Sequence, residues 1–169
     1  TGSIFFPSSP SAGDQIEIPY QPYHQLGTGP FTVEFFVYLT STDGTQGFLG
    51  NDSAGWYFQI YAGELEFAQG SSAVIERAWS HSINQWYHLA VTRDSSNDIR
   101  IFVDGTQQGA VVNSATDFNH ASNGLQIGGI GPTFNRFFQG GYMDEIRIIK
   151  GAAKYTANFT SPTEAFANR

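Results

Sequence analysis

The 169-residue chain carries eight Lys and Arg against fifteen Asp and Glu, a formal charge of −7, and no cysteine. The shortage of cations argues against non-specific nucleic-acid binding, which needs Lys and Arg to displace phosphate counterions, and against attraction to anionic lipid. Zinc ribbons, iron–sulfur clusters, thiol catalysis and disulfide scaffolds all need cysteine and are excluded. No apolar run reaches the roughly twenty residues of a membrane-spanning helix. The sequence opens on Thr1, without an initiator Met or a signal-peptide pattern, and is expected to be a mature product or a domain cut from a longer protein. Its length suits one domain whose core can stand without disulfides or a structural metal. Aromatics make up 15% and charged residues 14%, where about 25% charged is usual. With many Gly, Ser, Thr and Asn, this composition predicts strands joined by polar turns rather than a helical bundle.

Taken in chain order, period-2 alternation recurs throughout. In Phe31 to Leu39, Val33, Phe35, Val37 and Leu39 share one face, and Thr32, Glu34, Phe36 and Tyr38 the other. Aromatics on both faces predict a strand inside a sheet whose second face is partly covered. Trp56 to Tyr61 alternates likewise, with Trp56, Phe58 and Ile60 opposite Tyr57, Gln59 and Tyr61. Ala62-Gly63 then turns the chain into Glu64 to Gln69. Gln85 to Arg93 and Ile99 to Val103 are the next strands, separated by turn material from Asp94 to Asp98. Asp104-Gly105 is the strongest hairpin signal. Leu125 to Ile127 is short, and Phe137 to Ile149 closes the series with a break or bulge at Gly140-Gly141. Gly151 to Arg169 is expected to wrap over the body as coil anchored by Phe159 and Phe166, with one helical turn near Ala152 to Tyr155. Short strands with frequent turns predict an all-β antiparallel sandwich or barrel, and the lack of long helical segments excludes a parallel βαβ fold.

Several segments resemble, in order, the strands of laminin G-like, concanavalin A-like jelly rolls. Residues 12–19 (AGDQIEIP) are similar to their opening strand, FTVEFFVYLT to the next long strand, and Gln85 to Asp94 to their Trp-x-His-hydrophobic-Ala strand. Ile101 to Gly105 resembles the following strand and turn, and Gly140 to Lys150 the last core strand. The ending, Asp144 to Gly151 followed by Tyr155 to Thr160 and Pro162, resembles that of such domains in bacteriophage and prophage structural proteins. The resemblance implies that residues 1–169 form a single antiparallel β-sandwich jelly roll, with binding loops on a concave side or along one rim.

Glu64 and Glu66 alternate on a strand, about 7 Å apart on one face, a spacing that could serve a pair of catalytic carboxylates. The related laminarinase-type glucanases use a Glu-x-Asp-x-Glu run, and here the third acid is replaced by Ala68. Asp144 and Glu145, adjacent on a strand, face opposite sides. None of His24, His81, His88 and His120 stands in a nucleophile elbow or at zinc-ligand spacing, and His88 is expected to be a core histidine. The resemblance implies calcium at a loop rim, with Asn51 and Asp52 as candidate oxygen ligands, although Gly55 rather than an acid precedes the following strand. Asp94 to Asp98 lacks the Gly and bidentate Glu of an EF-hand and reads as a turn.

A sugar site needs an aromatic platform beside polar side chains. Three places offer one: Tyr57 and Tyr61 on the face opposite Trp56, Trp79 with His81, and Asn135-Arg136 ahead of Phe137. Trp86 and Trp56 are assigned to the core. Asn51-Asp52-Ser53 and Asn158-Phe159-Thr160 match the glycosylation pattern by chance in an Asn-rich chain. The expected function is a non-catalytic, lectin-like carbohydrate-binding module of an extracellular, cell-surface or virion protein. Its expected partners are a glycan or polysaccharide and other domains of the parent chain or virion, without nucleic acid or membrane insertion. The alternatives are a structural or protein-interaction module, such as a phage tail or adhesin decoration, and a glycoside hydrolase using Glu64 and Glu66.

Overall fold

The computed structural model describes residues 2–8, 14–51, 54–119, 124–131 and 135–167. Two antiparallel sheets face each other. The first places β1 (Ile4–Phe6) beside β15 (Gly141–Lys150), then β3 (Phe31–Leu39), β8 (Gln85–Arg93), β9 (Asp98–Val103) and β10 (Thr106–Gln107), with β11 (Val112–Asn113) also on β9. The second runs β2 (Ile16–Ile18), β12 (Leu125–Ile127), β4 (Thr45–Gly50), β5 (Trp56–Tyr61), β6 (Glu64–Gln69) and β7 (Ser72–Ala78). A small hairpin, β13 (Gly129–Ile130) with β14 (Arg136–Phe137), completes the antiparallel two-sheet sandwich.

The alternation of β3 decides which side faces in. Val33, Phe35, Val37 and Leu39 are fully buried and meet Phe48 of β4 and Phe58 of β5 across the sandwich. Phe35 lies 5.4 Å from Phe48 and 5.5 Å from Phe58 in tilted and edge-on contacts, the arrangement that ring quadrupoles favour. Trp56 is in this core, as expected, and its indole N–H donates to the carbonyl of His24 at 3.1 Å. Trp86 is not: it pairs with Tyr38 on the outer face and is 43% exposed. The reason is phase, since Tyr87, Leu89 and Val91 take the inward positions of β8 and leave Trp86, His88, Ala90 and Thr92 facing out.

That outer face also carries a buried charge. Glu34 sits between Ala90 of β8 and Arg147 of β15 and has no exposed side-chain surface. His88 Nε2 donates to it at 3.1 Å, Arg147 through Nε at 2.9 Å and Nη2 at 2.6 Å, and the Tyr155 hydroxyl at 2.9 Å. Burial pushes the Glu34 pKa up, but the bonds from His88, Arg147 and Tyr155 and the charge of Arg147 outweigh it and hold the carboxyl below its ordinary range. Burial and the nearby Glu34 charge push the Tyr155 phenol up.

Tyr155 belongs to the final segment, which crosses this sheet as the sequence predicts. The Thr32 hydroxyl donates to Ala152 O, the Thr92 hydroxyl to Tyr155 O, and Phe159 N–H to Gly105 O. Phe159 stacks on Tyr155 with centroids 3.5 Å apart, and Phe166 packs near His88 and Phe36. Asp104 and Gly105 both have positive φ, 47° and 76°, as a tight Asp-Gly hairpin requires. Gly105 is needed twice over, because a Cβ there would lie 1.9 Å from Phe159 O.

Several local expectations need correction. Residues 152–155 form no helical turn; among the described residues the short 3-10 turn is Pro22–His24. The chain does break at Gly140, and Gly141 already opens β15, but the bulge lies further on, between Asp144 and Arg147, with Glu145 at φ 50°. Strands β1, β4, β7, β11 and β13 do not follow from the sequence pattern. In β4 the glycines masked the signal: a Cβ at Gly47 would meet Arg136 O at 2.4 Å, so the strand trades propensity for close approach of β14. Asp94 to Asp98 is a turn, with Asp94 Oδ1 accepting from the N–H groups of Ser96 and Asp98.

Glu34→Gln leaves Arg147 and His88 without their anion and should cost about 3–5 kcal/mol in denaturant unfolding at neutral pH. Because the folded pKa is depressed, the stability Glu34 confers is complete above the ordinary carboxylate range and declines as pH falls through its lowered pKa. The wild-type advantage over Glu34→Gln should therefore shrink on acidification; a pH-independent difference would contradict the assignment.

Candidate functional site

The outer face of the second sheet is built by the other phase of β5 and β6. Tyr57 lies opposite Ala68, Gln59 opposite Glu66 and Tyr61 opposite Glu64. With Trp56, Phe58 and Ile60 taken into the core, these residues must point outward. The hairpin β13–β14 lies over one end of this face, where Ile130 packs on Tyr57 and Ala68.

Arg136 leaves this hairpin and runs along the strip. Its Nη1 donates to Gln59 Oε1 at 3.0 Å, and its guanidinium lies 4.0 Å from the centre of the Tyr61 ring. Gln59 Nε2 in turn donates to Glu66 Oε2 at 2.6 Å. Burial, reinforced by Glu76 and Glu64, pushes the Glu66 pKa up, while Gln59 and Arg136 pull it down less strongly. The Tyr57 hydroxyl donates to Gly70 O at 2.8 Å and is pushed up to about 12, chiefly by burial. The result is a fixed chain of polar groups ending at Tyr61, which is 45% exposed.

The structure thus brings Tyr57, Tyr61 and Arg136 together, with Asn135 exposed beside Arg136 at φ 51°. Tyr57 itself is buried beneath the hairpin and shapes the strip from below. Trp79 and His81 form a separate pair, 5.1 Å apart, at the same end of the sheet as Tyr61: Trp79 N–H donates to Gly63 O in the turn after β5. Trp79 also packs edge-on against Tyr87, and His81 Nε2 meets Ser41 O at 3.2 Å, so both are partly engaged. Asn51 lies at the far end of β5, where its N–H donates to Trp56 O, about 17 Å from Tyr61 at ordinary strand rise.

Asn51 is fully buried, with Nδ2 donating to Gly124 O at 3.3 Å and Oδ1 without a partner among the described residues. Asp52 lies outside the described residues. Among those described, no three His, Asp or Glu side chains come together as a metal site. One orphaned oxygen falls well short of the six to eight that Ca²⁺ takes, so the described residues do not by themselves fit that ion. Of the acid pair, Glu66 is 6% exposed and held by Gln59, while Glu64 is half-buried at the strip's edge.

Sequence reasoning missed two features of the surface. Gln59 and Glu66 were not joined to Arg136, because that contact links positions 77 residues apart. The second is a row of aromatics on the outer face of the first sheet: Phe5, Tyr142, Tyr38 and Trp86, on four adjacent strands, with successive centroids 5.3, 5.9 and 5.6 Å apart. The alternation of Gln85 to Arg93 could have revealed Trp86 as outward-facing.

Comparison with known proteins places this geometry. Residues 10–155 match the model of the concanavalin A-like lectin/glucanases superfamily. No curated protein matches the sequence. Solved structures that share the fold include a candidate carbohydrate-binding protein from Bacteroides ovatus (22% identity, TM-score 0.68, 94% of this chain and 44% of that one). The binding domain of Paraclostridial Mosquitocidal Protein 1 is another (16%, 0.67, 90% and 41%). Domain 4 of AbnA, an extracellular arabinanase from Geobacillus stearothermophilus solved with arabinotriose, is a third (20%, 0.60, 81% and 66%). The chain spans less than half the length of the first two. A family match over most of the sequence, on a two-sheet jelly roll, makes this chain a member of the concanavalin A-like lectin/glucanases superfamily.

Proposed function

We propose that this domain is a non-catalytic carbohydrate-binding module and that the strip ending at Tyr61 and Arg136 holds the sugar. The observation that carries the reading is the exposed Tyr61 ring fixed beside a guanidinium whose position is set by Gln59. An aromatic surface covers the apolar side of a pyranose or furanose, and preset polar groups select its hydroxyls. The similarity to a candidate carbohydrate-binding protein and to a domain solved with arabinotriose supports it. Such a module serves an extracellular or cell-surface parent protein. The virion setting suggested by the ending of the chain gains no support from these neighbours.

Glu66 argues for binding rather than hydrolysis. A glycosidase acid must reach the glycosidic oxygen, whereas Glu66 is buried and already accepts from Gln59. A second reading, a protein-interaction module, is favoured by the row of Phe5, Trp86 and Tyr142, exposed around a half-buried Tyr38, and by similarity to the binding domain of Paraclostridial Mosquitocidal Protein 1.

A glycan array followed by calorimetry tests the first reading. Tyr61→Ala and Arg136→Ala should each weaken binding at least tenfold, about 1.4 kcal/mol, while Trp86→Ala leaves it unchanged. Absence of binding to any glycan, with or without calcium, would reject it. If Trp86→Ala alone abolishes binding, the ligand sits on the first sheet.

Glu66→Gln separates binding from catalysis. Its raised folded pKa means that the ionised carboxylate opposes folding as pH rises through and above the ordinary carboxylate range. The variant should therefore match or exceed the wild type in melting temperature at neutral pH and keep glycan affinity. Turnover of a β-glucan by the wild type that disappears in Glu66→Gln would establish a hydrolase instead.

A further inference from the structure

The free edge of β15 offers a binding groove unrelated to the sugar strip. Strand β1 pairs with β15 only from Gly141 to Met143. From Arg147 to Lys150 the strand pairs with β3 on one side and has no strand on the other among the described residues. A cavity of about 970 Å³ lies along this stretch, walled by residues 147–150 on one side and by Lys154 and residues 162–167 of the final segment on the other. Four consecutive strand residues line it. A groove over a sheet face would meet alternate residues; one that meets every residue runs along the hydrogen-bonding edge.

Its charge is opposite to that of the molecule. The chain has a net charge of −7 and only two lysines, Lys150 and Lys154, and both line this groove. Neither has a carboxylate partner among the described residues. Arg147 also lines the groove, but its Nε and Nη2 hold Glu34 and its guanidinium lies 3.8 Å from the centre of the Phe166 ring, which leaves the two lysines as the cations free to meet a ligand. Glu164 is the acid on the lining, and Glu145, at the bulge, is occupied by the Phe166 N–H. Ile149, Pro162 and Phe166 supply apolar wall between the cations.

We propose that this groove binds an extended acidic peptide, which adds to β15 as a strand. Unpaired edge groups take a main chain, and Lys150 and Lys154 select carboxylates spaced along it with apolar residues between. A second copy of this chain fits poorly, because pairing the same edges would set Arg147, Lys150 and Lys154 against their equivalents. An acidic sugar would satisfy the cations but leave the strand edge unpaired.

The test uses a fluorescein-labelled peptide of alternating Glu and Val, measured by anisotropy and amide hydrogen exchange on the intact chain. The peptide should bind saturably, weaken with added salt and protect the alternate amides of residues 147–150 that do not bond to β3. Lys150→Glu with Lys154→Glu should lower affinity at least tenfold while the melting temperature stays within a few degrees. A version with Pro at alternate positions, which removes main-chain donors, should bind at least tenfold more weakly. The proposal is overturned if no saturable binding occurs up to millimolar peptide, or if the double variant binds as well as the wild type. Equal binding of the Pro-containing peptide or of an oligogalacturonate would also overturn it, as would concentration-dependent self-association that protects residues 147–150 without peptide.

Discussion

A carboxylate with no exposed surface, Glu34, organises one whole side of the molecule. Its alternation with Val33 and Phe35 places it on the outer face of the first sheet, where water would ordinarily solvate it. The final segment removes that water, and the carboxylate is tolerable only because four donors from β8, β15 and that segment replace it. The cluster therefore links the sheet's central strands to its covering. It also explains why Thr32 and Thr92, rather than apolar residues, line the rest of the covered face: each hydroxyl donates to a carbonyl of the crossing chain.

The two outer faces consequently do different work. One is half covered by the final segment and leaves an aromatic row at its uncovered end. The other is covered at one end by the β13–β14 hairpin, which delivers Arg136 onto a strip of strand residues. In both cases an added piece of chain, rather than the sandwich itself, sets the chemistry of the surface. This is how one jelly roll can carry unrelated binding properties.

The sequence makes the architecture plain because the long strands are regular. Residues 31–39, 56–61 and 85–93 alternate cleanly, and their bounds in the structure match. Illegible strands are those whose residues answer to neighbours instead of to periodicity, as in glycine-bearing β4. Trp86 shows a different failure: bulk was read as burial, although its own strand's phase points it outward. For the sugar strip, the aromatics and Arg136 stood out locally, but Gln59 and Glu66 become functional neighbours only through cross-strand register and a contact over long sequence distance. The buried Glu34 was visible as an acid in an apolar strand; its partners at 88, 147 and 155 were not.

The spread of those partners bears on how the protein is made. Within this domain Glu34 is made before His88, and His88 before Arg147 and Tyr155. Until the last of them leaves the ribosome, the central strand of the first sheet carries a carboxylate that is better left in water than folded. Closing that sheet before Tyr155 arrives would bury the carboxylate with one donor missing, so the order of synthesis favours leaving it open until the covering segment is made.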